Sequence, residues 1–215
     1  MAERTIEDRL REEYFELLPE IRRVTDQLEA EIKYQLLPIS RGLDRHEQLL
    51  VTSRVKECES AVESLRRRQQ LGTFDSEKAS LYTLSGLHDL AAVRILAFPR
   101  SRLSEADQQL RTRFPFWISD PVCGETGEML AFKYHGFCQA SDKVVGEYQI
   151  VSMLVGLFWE VEHSAIYKPT PRLRGITRSL EMQKCTNDVH RALRAFEEEF
   201  ESLIQGSERF LENPN

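Results

Sequence analysis

The chain has 215 residues, 41% of them hydrophobic and 30% charged, with a net charge of −6. That size and balance fit one globular domain able to bury a proper core. The acidic excess excludes a general affinity for nucleic acid through bulk charge, so any anionic ligand needs a local basic cluster. No apolar run approaches the ~20 residues that a bilayer span requires, which predicts no membrane partner. The start, MAERTIEDRLREE, is charged and helical in pattern and lacks the apolar core of a signal peptide, so a cytoplasmic protein is expected. Cys58, Cys123, Cys138 and Cys185 form no CxxC pair and no zinc-ligand spacing, and read as free thiols.

Along the chain, residues 5–36 carry a helical period through Leu10, Phe15, Leu18, Ile21, Val24, Leu28, Ile32 and Leu36. Pro19 is expected to divide this stretch into two helices or to start the second. VTSRVKECESAVESLRRRQQ, residues 51–70, reads as a further helix with Val55, Cys58, Val62 and Leu65 as its core stripe. On such a helix Lys56, Ser60 and Arg67 would fall within about 40° of one another. After a polar connector at 71–80, LAAVRILAF (90–98) reads as a strand and residues 100–114 as a helix. FPFWISDPV follows as a short extended piece, then MLAFKYHGFCQAS and VVGEYQIVSML as two strands around a turn at SDK. LVGLFWEVEHSAIYK changes to a helical pattern, and 176–211 is another amphipathic helix or helix pair marked by Leu180, Leu193, Phe196, Phe200 and Ile204. Strands in the middle with helices before, between and after them indicate an α/β or α+β architecture.

Four separate pieces carry polar residues that local structure does not explain: Arg54 with Lys56, Asp89 with Arg94, Tyr134, and Glu147 with Gln149. In a strand Glu147 and Gln149 share one face while Tyr148 and Ile150 take the other. Asp89 at the entrance to one strand and Glu147 within another can converge on one hard cation. Magnesium suits such a site, accepting one or two carboxylates together with phosphate oxygens and water. Nearby Arg and Lys side chains then neutralise a polyphosphate, which is the general equipment of phosphoryl or pyrophosphoryl transfer. Asp89 and Arg94 are an odd number apart, so either Asp89 sits in a turn before the strand or a bulge intervenes. For Arg94, contact with a phosphate is expected, with a simple surface salt bridge as the alternative.

In this order and spacing, SRVKECESAVESLRRR, HDLAAVRIL, KYHG and GEYQIVS…WEVEHSAIYKP resemble the synthetase domain of the RelA/SpoT family over residues 50–168. Its pattern is an R-x-K…ES helix, a D-L-x-x-V-R-I strand, a G-Y-x-x-x-H segment, an E-x-Q strand and an E-H…Y-K helix. The resemblance implies a nucleotidyltransferase-like mixed sheet flanked by helices. It divides the chain into N-terminal helices at 1–48, a synthetase core at 49–170 and C-terminal helices at 171–215. It also implies transfer of the β,γ-pyrophosphate of ATP to the 3′-hydroxyl of GDP or GTP, making (p)ppGpp with the help of Mg2+.

Carried over residue by residue, Arg54, Lys56, Arg67 and Arg94 match positions that hold the ATP phosphates. Asp89 and Glu147 match the magnesium-binding acids, and Glu147 is also placed to assist deprotonation of the acceptor hydroxyl. Tyr134 matches the tyrosine that stacks on the acceptor base, while Gln149, His163 and Lys168 complete the acceptor side. Glu162 and Tyr167 belong to the same final motif.

Departures from the pattern are Lys133 for the glycine, Cys138 for the histidine, Val151 and Ser152 after E-x-Q-x, and Ser64 for a frequent lysine. His135 is a candidate substitute for the imidazole lost at Cys138, although a strand places it on the other face from Tyr134. These losses keep two alternatives open. One is a toxin-type enzyme acting on the tRNA 3′ end or on an adenosine nucleotide, with Arg66, Arg67, Arg68 and Lys78 as a phosphate-tracking patch. The other is a catalytically silent nucleotide-binding module. The flanking helices carry enough periodic apolar surface to serve a homo-oligomer.

Overall fold

A computed structural model describes residues 5–69, 72–124, 127–162 and 179–212. Helix α1 (Ile6–Gln35) opens on a capping box, in which the Asp8 amide donates to Thr5 Oγ1 at 3.1 Å and the Thr5 amide donates back to the Asp8 carboxylate at 3.4 Å. It runs unbroken through Pro19, where a division was expected. Proline in a helix interior costs ~3 kcal/mol. Here Leu10, Tyr14, Ile21, Val24, Leu28 and Ile32 are all buried, on both sides of the proline. Burial of each such side chain is worth ~1.5–3 kcal/mol, so the continuous stripe outweighs the interruption.

A short helix α2 (Leu37–Arg41) leads to strand β1 (Gln48–Val55), followed by helix α3 (Cys58–Arg67). The helix read over 51–70 therefore begins only at Cys58, and Arg54 belongs to a strand. The reason is visible in QLLVTSRV, whose alternation and β-branched Val51, Thr52 and Val55 suit a pleated ribbon. The Lys56 amide extends that pairing by donating to Leu90 O at 2.9 Å.

Strand β2 (Ala91–Phe98) is followed by helix α4 (Ser101–Arg113) and the short strands β3 (Ile118–Ser119) and β4 (Val122–Cys123). Then come β5 (Met129–Phe137), β6 (Val145–Ser152) and helix α5 (Met153–Glu162). Helix α6 (Leu180–Glu212) closes the described chain. The strands form one six-stranded mixed sheet in the order β1-β2-β6-β5-β3, with β4 also paired to β5, and helices flank it. No helix among the described residues is long and apolar enough to cross a membrane.

The chain divides into two compact units, with boundaries inside β1, β2, α4 and β6. The first comprises residues 5–37, Val51–Ile95 and Gln109–Gln149. Its core joins Leu10, Ile21 and Val24 of α1 to Val62 and Leu65 of α3 and to Leu84, Leu87, Leu90 and Ala91 ahead of and within β2. The second comprises Pro38–Leu50, Leu96–Gln108 and the chain from Ile150 onward. It is held by Phe98 against Phe200 at 5.0 Å, Arg102 across Glu47 at 2.7 Å, and a hydrogen bond from the Ser152 hydroxyl to the buried Glu197 carboxylate.

Candidate active site

Alternation along each strand of the first unit separates two faces. Ser53 of β1 hydrogen-bonds Glu29 of α1, and Val55 packs on the α1 core, so odd-numbered residues of β1 meet α1. Ala91 joins the same core. In β6 a Cβ on Gly146 would lie 3.2 Å from Leu28 of α1 and from Trp117, which puts Gly146 and Tyr148 on that side as well. In β5, Tyr134 stacks on Tyr148 with centroids 5.0 Å apart, and Gly136 lies directly beneath the Trp117 ring.

By the two-residue period of the strand, the opposite face carries Arg54, Arg94, Glu147, Gln149, Lys133 and His135. Lys56 and Asp89 join it from the ends of their segments. Asp89 stands in the turn before β2. That resolves its odd spacing from Arg94 without a bulge.

The centre of this face is an ion pair between Lys56 Nζ and Asp89 Oδ2. The Lys56 side chain is 7% exposed and that of Asp89 29%. Burial holds the Lys56 ammonium below its ordinary proton affinity; Asp89 works against that shift, and the charges of Arg54 and Arg68 add to it. The second Asp89 oxygen, Oδ1, is buried with no hydrogen-bond partner among the described residues.

Glu147 is buried, and its Oε1 accepts from Gln149 Nε2 at 2.8 Å. Burial pushes its carboxyl above the ordinary range, and the Asp89 charge pushes it further; Lys133, Gln149 and Lys56 pull it back. Two carboxylates and two lysines therefore act on one another here. On the β5 side Lys133 Nζ meets Asp120 at 2.5 Å, and His135 stacks on His88 at 4.1 Å between centroids.

Arg54, Lys56, Asp89, Arg94, Glu147 and Gln149 thus share one face. Tyr134 does not. The residue is 6% exposed and its ring stacks on Tyr148 on the α1 side. The Arg67 guanidinium touches Ser64 and Glu63 of its own helix, while the charge of its neighbour Arg68, whose NH1 donates to Gly86 O at 3.0 Å, acts on Lys56. His163, Tyr167 and Lys168 lie outside the described residues. Glu162 ends α5 with its carboxylate 3.2 Å from His190 Nε2 of α6.

Cys138, the departure from the motif histidine, packs beneath the sheet near Gly146, and burial raises its thiol to about 11. Lys133, counted as a lost glycine, instead supplies a cation to the Glu147 face. His88 and Asp120 were not singled out as site residues. Only the two-residue alternation through Lys133 and His135 pointed toward their side.

Comparison with solved structures settles the architecture. Small alarmone synthetase 1 from Bacillus subtilis, bound to its product pppGpp, superposes with a TM-score of 0.62 at 20% identity, over 92% of this chain and 99% of that one. The same enzyme bound to AMPCPP gives 0.64 at 18% identity, over 92% and 98%. A GTP pyrophosphokinase family protein from Streptococcus pneumoniae gives 0.64 at 18% identity, over 92% and 95%. The chain has the small alarmone synthetase fold. No protein-family model matches the sequence, and neither does any curated protein. The alarmone synthetase fold extends over about nine-tenths of the chain, including the flanking helices α1 and α6.

Proposed function

We propose that the chain is an ATP-dependent pyrophosphokinase that transfers the β,γ-pyrophosphate of ATP to the 3′-hydroxyl of GDP or GTP. The observation that carries this is the gathering of two acids, Asp89 and Glu147, with Lys56, Lys133, Arg54 and Arg94 on one sheet face. The nucleotide complexes of the structural neighbours support nucleotide substrates.

The acceptor 3′-oxygen attacks the β-phosphorus of ATP. The bond from that phosphorus to the α,β-bridging oxygen breaks, and AMP leaves with the oxygen. Gln149 occupies Glu147 Oε1, which leaves Oε2 to take the proton from the 3′-hydroxyl. Arg54, Arg94 and Arg68 neutralise the donor phosphates, and Lys56 is placed to exchange its bond with Asp89 for one with a phosphate oxygen.

The residues fit magnesium. Asp89 offers a buried oxygen that no protein group satisfies, and Glu147 supplies the second carboxylate. No cluster of three or more His, Cys, Asp or Glu ligands occurs among the described residues, which suits an ion completed by phosphate oxygens and water. When bound, magnesium offsets the charge that builds on the transferred phosphates.

The test is incubation with magnesium and ATP labelled in the β-phosphate, offering GDP, GTP, ATP and tRNA in separate reactions. Label on GDP or GTP supports the reading. Label on tRNA or an adenosine nucleotide alone replaces the acceptor, and transfer to none of them sinks the enzyme.

A further inference from the structure

Tyr134 lies on the α1 side of the sheet, yet one stacked aromatic pair stands next to Asp89 in the chain and on the strand neighbouring that of Glu147. His135 follows Lys133 by two residues on β5 and is 9% exposed. His88 directly precedes Asp89, is exposed, and lies over His135 with centroids 4.1 Å apart and planes 18° from parallel. One face of the His88 ring is thus spoken for by His135. The pair has Asp120 beside it, whose carboxylate acts on both imidazoles and is itself bound to Lys133.

The sheet order sets charged and aromatic side chains on two sides of Glu147. Arg54 and Arg94 stand on β1 and β2, Glu147 on β6 in the middle, and Lys133 and His135 on β5 beyond it. The two arginines stand before Glu147, and the stacked imidazoles, with the Lys133–Asp120 ion pair beside them, stand after it. A planar base needs a π-surface rather than a cation cluster.

We propose that the His88–His135 pair is the platform on which the purine base of the acceptor nucleotide stacks, the exposed His88 ring making the contact and His135 fixing its orientation. This deepens the pyrophosphokinase reading and rests on it. His88 is then a specificity-determining residue of this chain that takes over the stacking role Tyr134 is turned away from.

The experiment measures equilibrium binding of GDP, ADP and AMPCPP by calorimetry, with KM and kcat for transfer, in wild type, His88→Ala and His88→Phe. Loss of a base stack is expected to weaken GDP binding and raise its KM roughly tenfold. AMPCPP affinity should stay within about twofold, and kcat at saturating acceptor should change little. His88→Phe should restore GDP affinity, since a flat ring suffices.

An unchanged GDP affinity in His88→Ala overturns the proposal. So does a failure of His88→Phe to rescue it, or a greater loss for AMPCPP, which would give the pair to the donor base. Wild-type protein that binds AMPCPP but no purine acceptor overturns it together with the GDP reading. Normal wild-type transfer with an indifferent His88 overturns the stacking role alone.

Discussion

Glu147 and Lys56 are both buried, and removing their charges has different consequences. Glu147→Gln keeps the shape and the acceptor oxygen that Gln149 binds, while removing a carboxylate that is costly to bury beside Asp89. The folded state should be at least as stable as wild type. Turnover should nevertheless fall by roughly 10²–10⁴, the ordinary worth of a positioned general base. Initial rates with labelled ATP, beside a thermal melt, check both halves; a melt that falls along with the rate would reduce Glu147 to a structural residue. Lys56→Met keeps the packed stem and removes the ammonium, so that Asp89 loses the hydrogen-bond partner it has among the described residues. We expect a loss of roughly 1–3 kcal/mol in urea unfolding. Adding Asp89→Asn should recover part of it, because the neutral amide leaves less charge uncompensated. A double mutant no better than Lys56→Met alone would show that the ion pair is not what the lysine contributes.

Among the elements, α1 carries the most unusual feature, a proline in its interior that faces solvent. Pro19→Ala restores a backbone donor and removes a ring clash without touching a buried side chain. It should stabilise the protein by about 1–3 kcal/mol, read as a higher denaturation midpoint with unchanged slope. A neutral result would mean that the helix has relaxed around the proline. The same element shows what sequence could and could not reveal. The period of Leu10, Ile21, Val24, Leu28 and Ile32 was legible because each of them is buried on one stripe. Continuity past Pro19 was not, since it depends on a core built from segments up to residue 144. In 48–55 the signal was ambiguous, because Val51, Val55, Cys58 and Val62 satisfy a helical period as well as β1 followed by α3. In β5 and β6 the alternation was fully legible, and His135 was correctly set opposite Tyr134. Which of those faces α1 would cover was not, because alternation has no sign until a helix packs on one side. The motif match alone did not say on which side Tyr134 lies, and the packing of Trp117 and Leu28 puts it on the α1 side.

At the scale of the whole molecule, the pH dependence of stability has two carboxyl contributors that run against the usual acid denaturation, Glu147 at the candidate site and Glu197 outside it. Most shifted carboxylates here are held low by partners, as Glu47 is by Arg102 despite its burial and Glu31 is by Arg113, and they stabilise above the ordinary carboxylate range. Glu197 is fully buried in the second unit. Ser152 satisfies its Oε1, while Oε2 has no hydrogen-bond partner among the described residues. Burial pushes its carboxyl above the ordinary value of 4.5, and the Ser152 hydroxyl, Arg100 and the Leu154 amide only partly oppose that. The native state therefore holds a proton at pH values where the unfolded chain has released it. Its stabilising contribution is complete below 4.5 and is lost as pH rises through the raised native value. Glu197→Gln keeps an acceptor for Ser152 and abolishes the titration. The variant should be more stable than wild type at pH 8, and the advantage should shrink as pH falls toward 4.5, with a slope no steeper than about 1.4 kcal/mol per pH unit for one proton. Urea unfolding of both proteins from pH 5 to 8 reads this difference directly. Parallel stability curves would show that the Glu197 carboxyl keeps its ordinary affinity, and that a partner, water or ion, reaches Oε2 in solution.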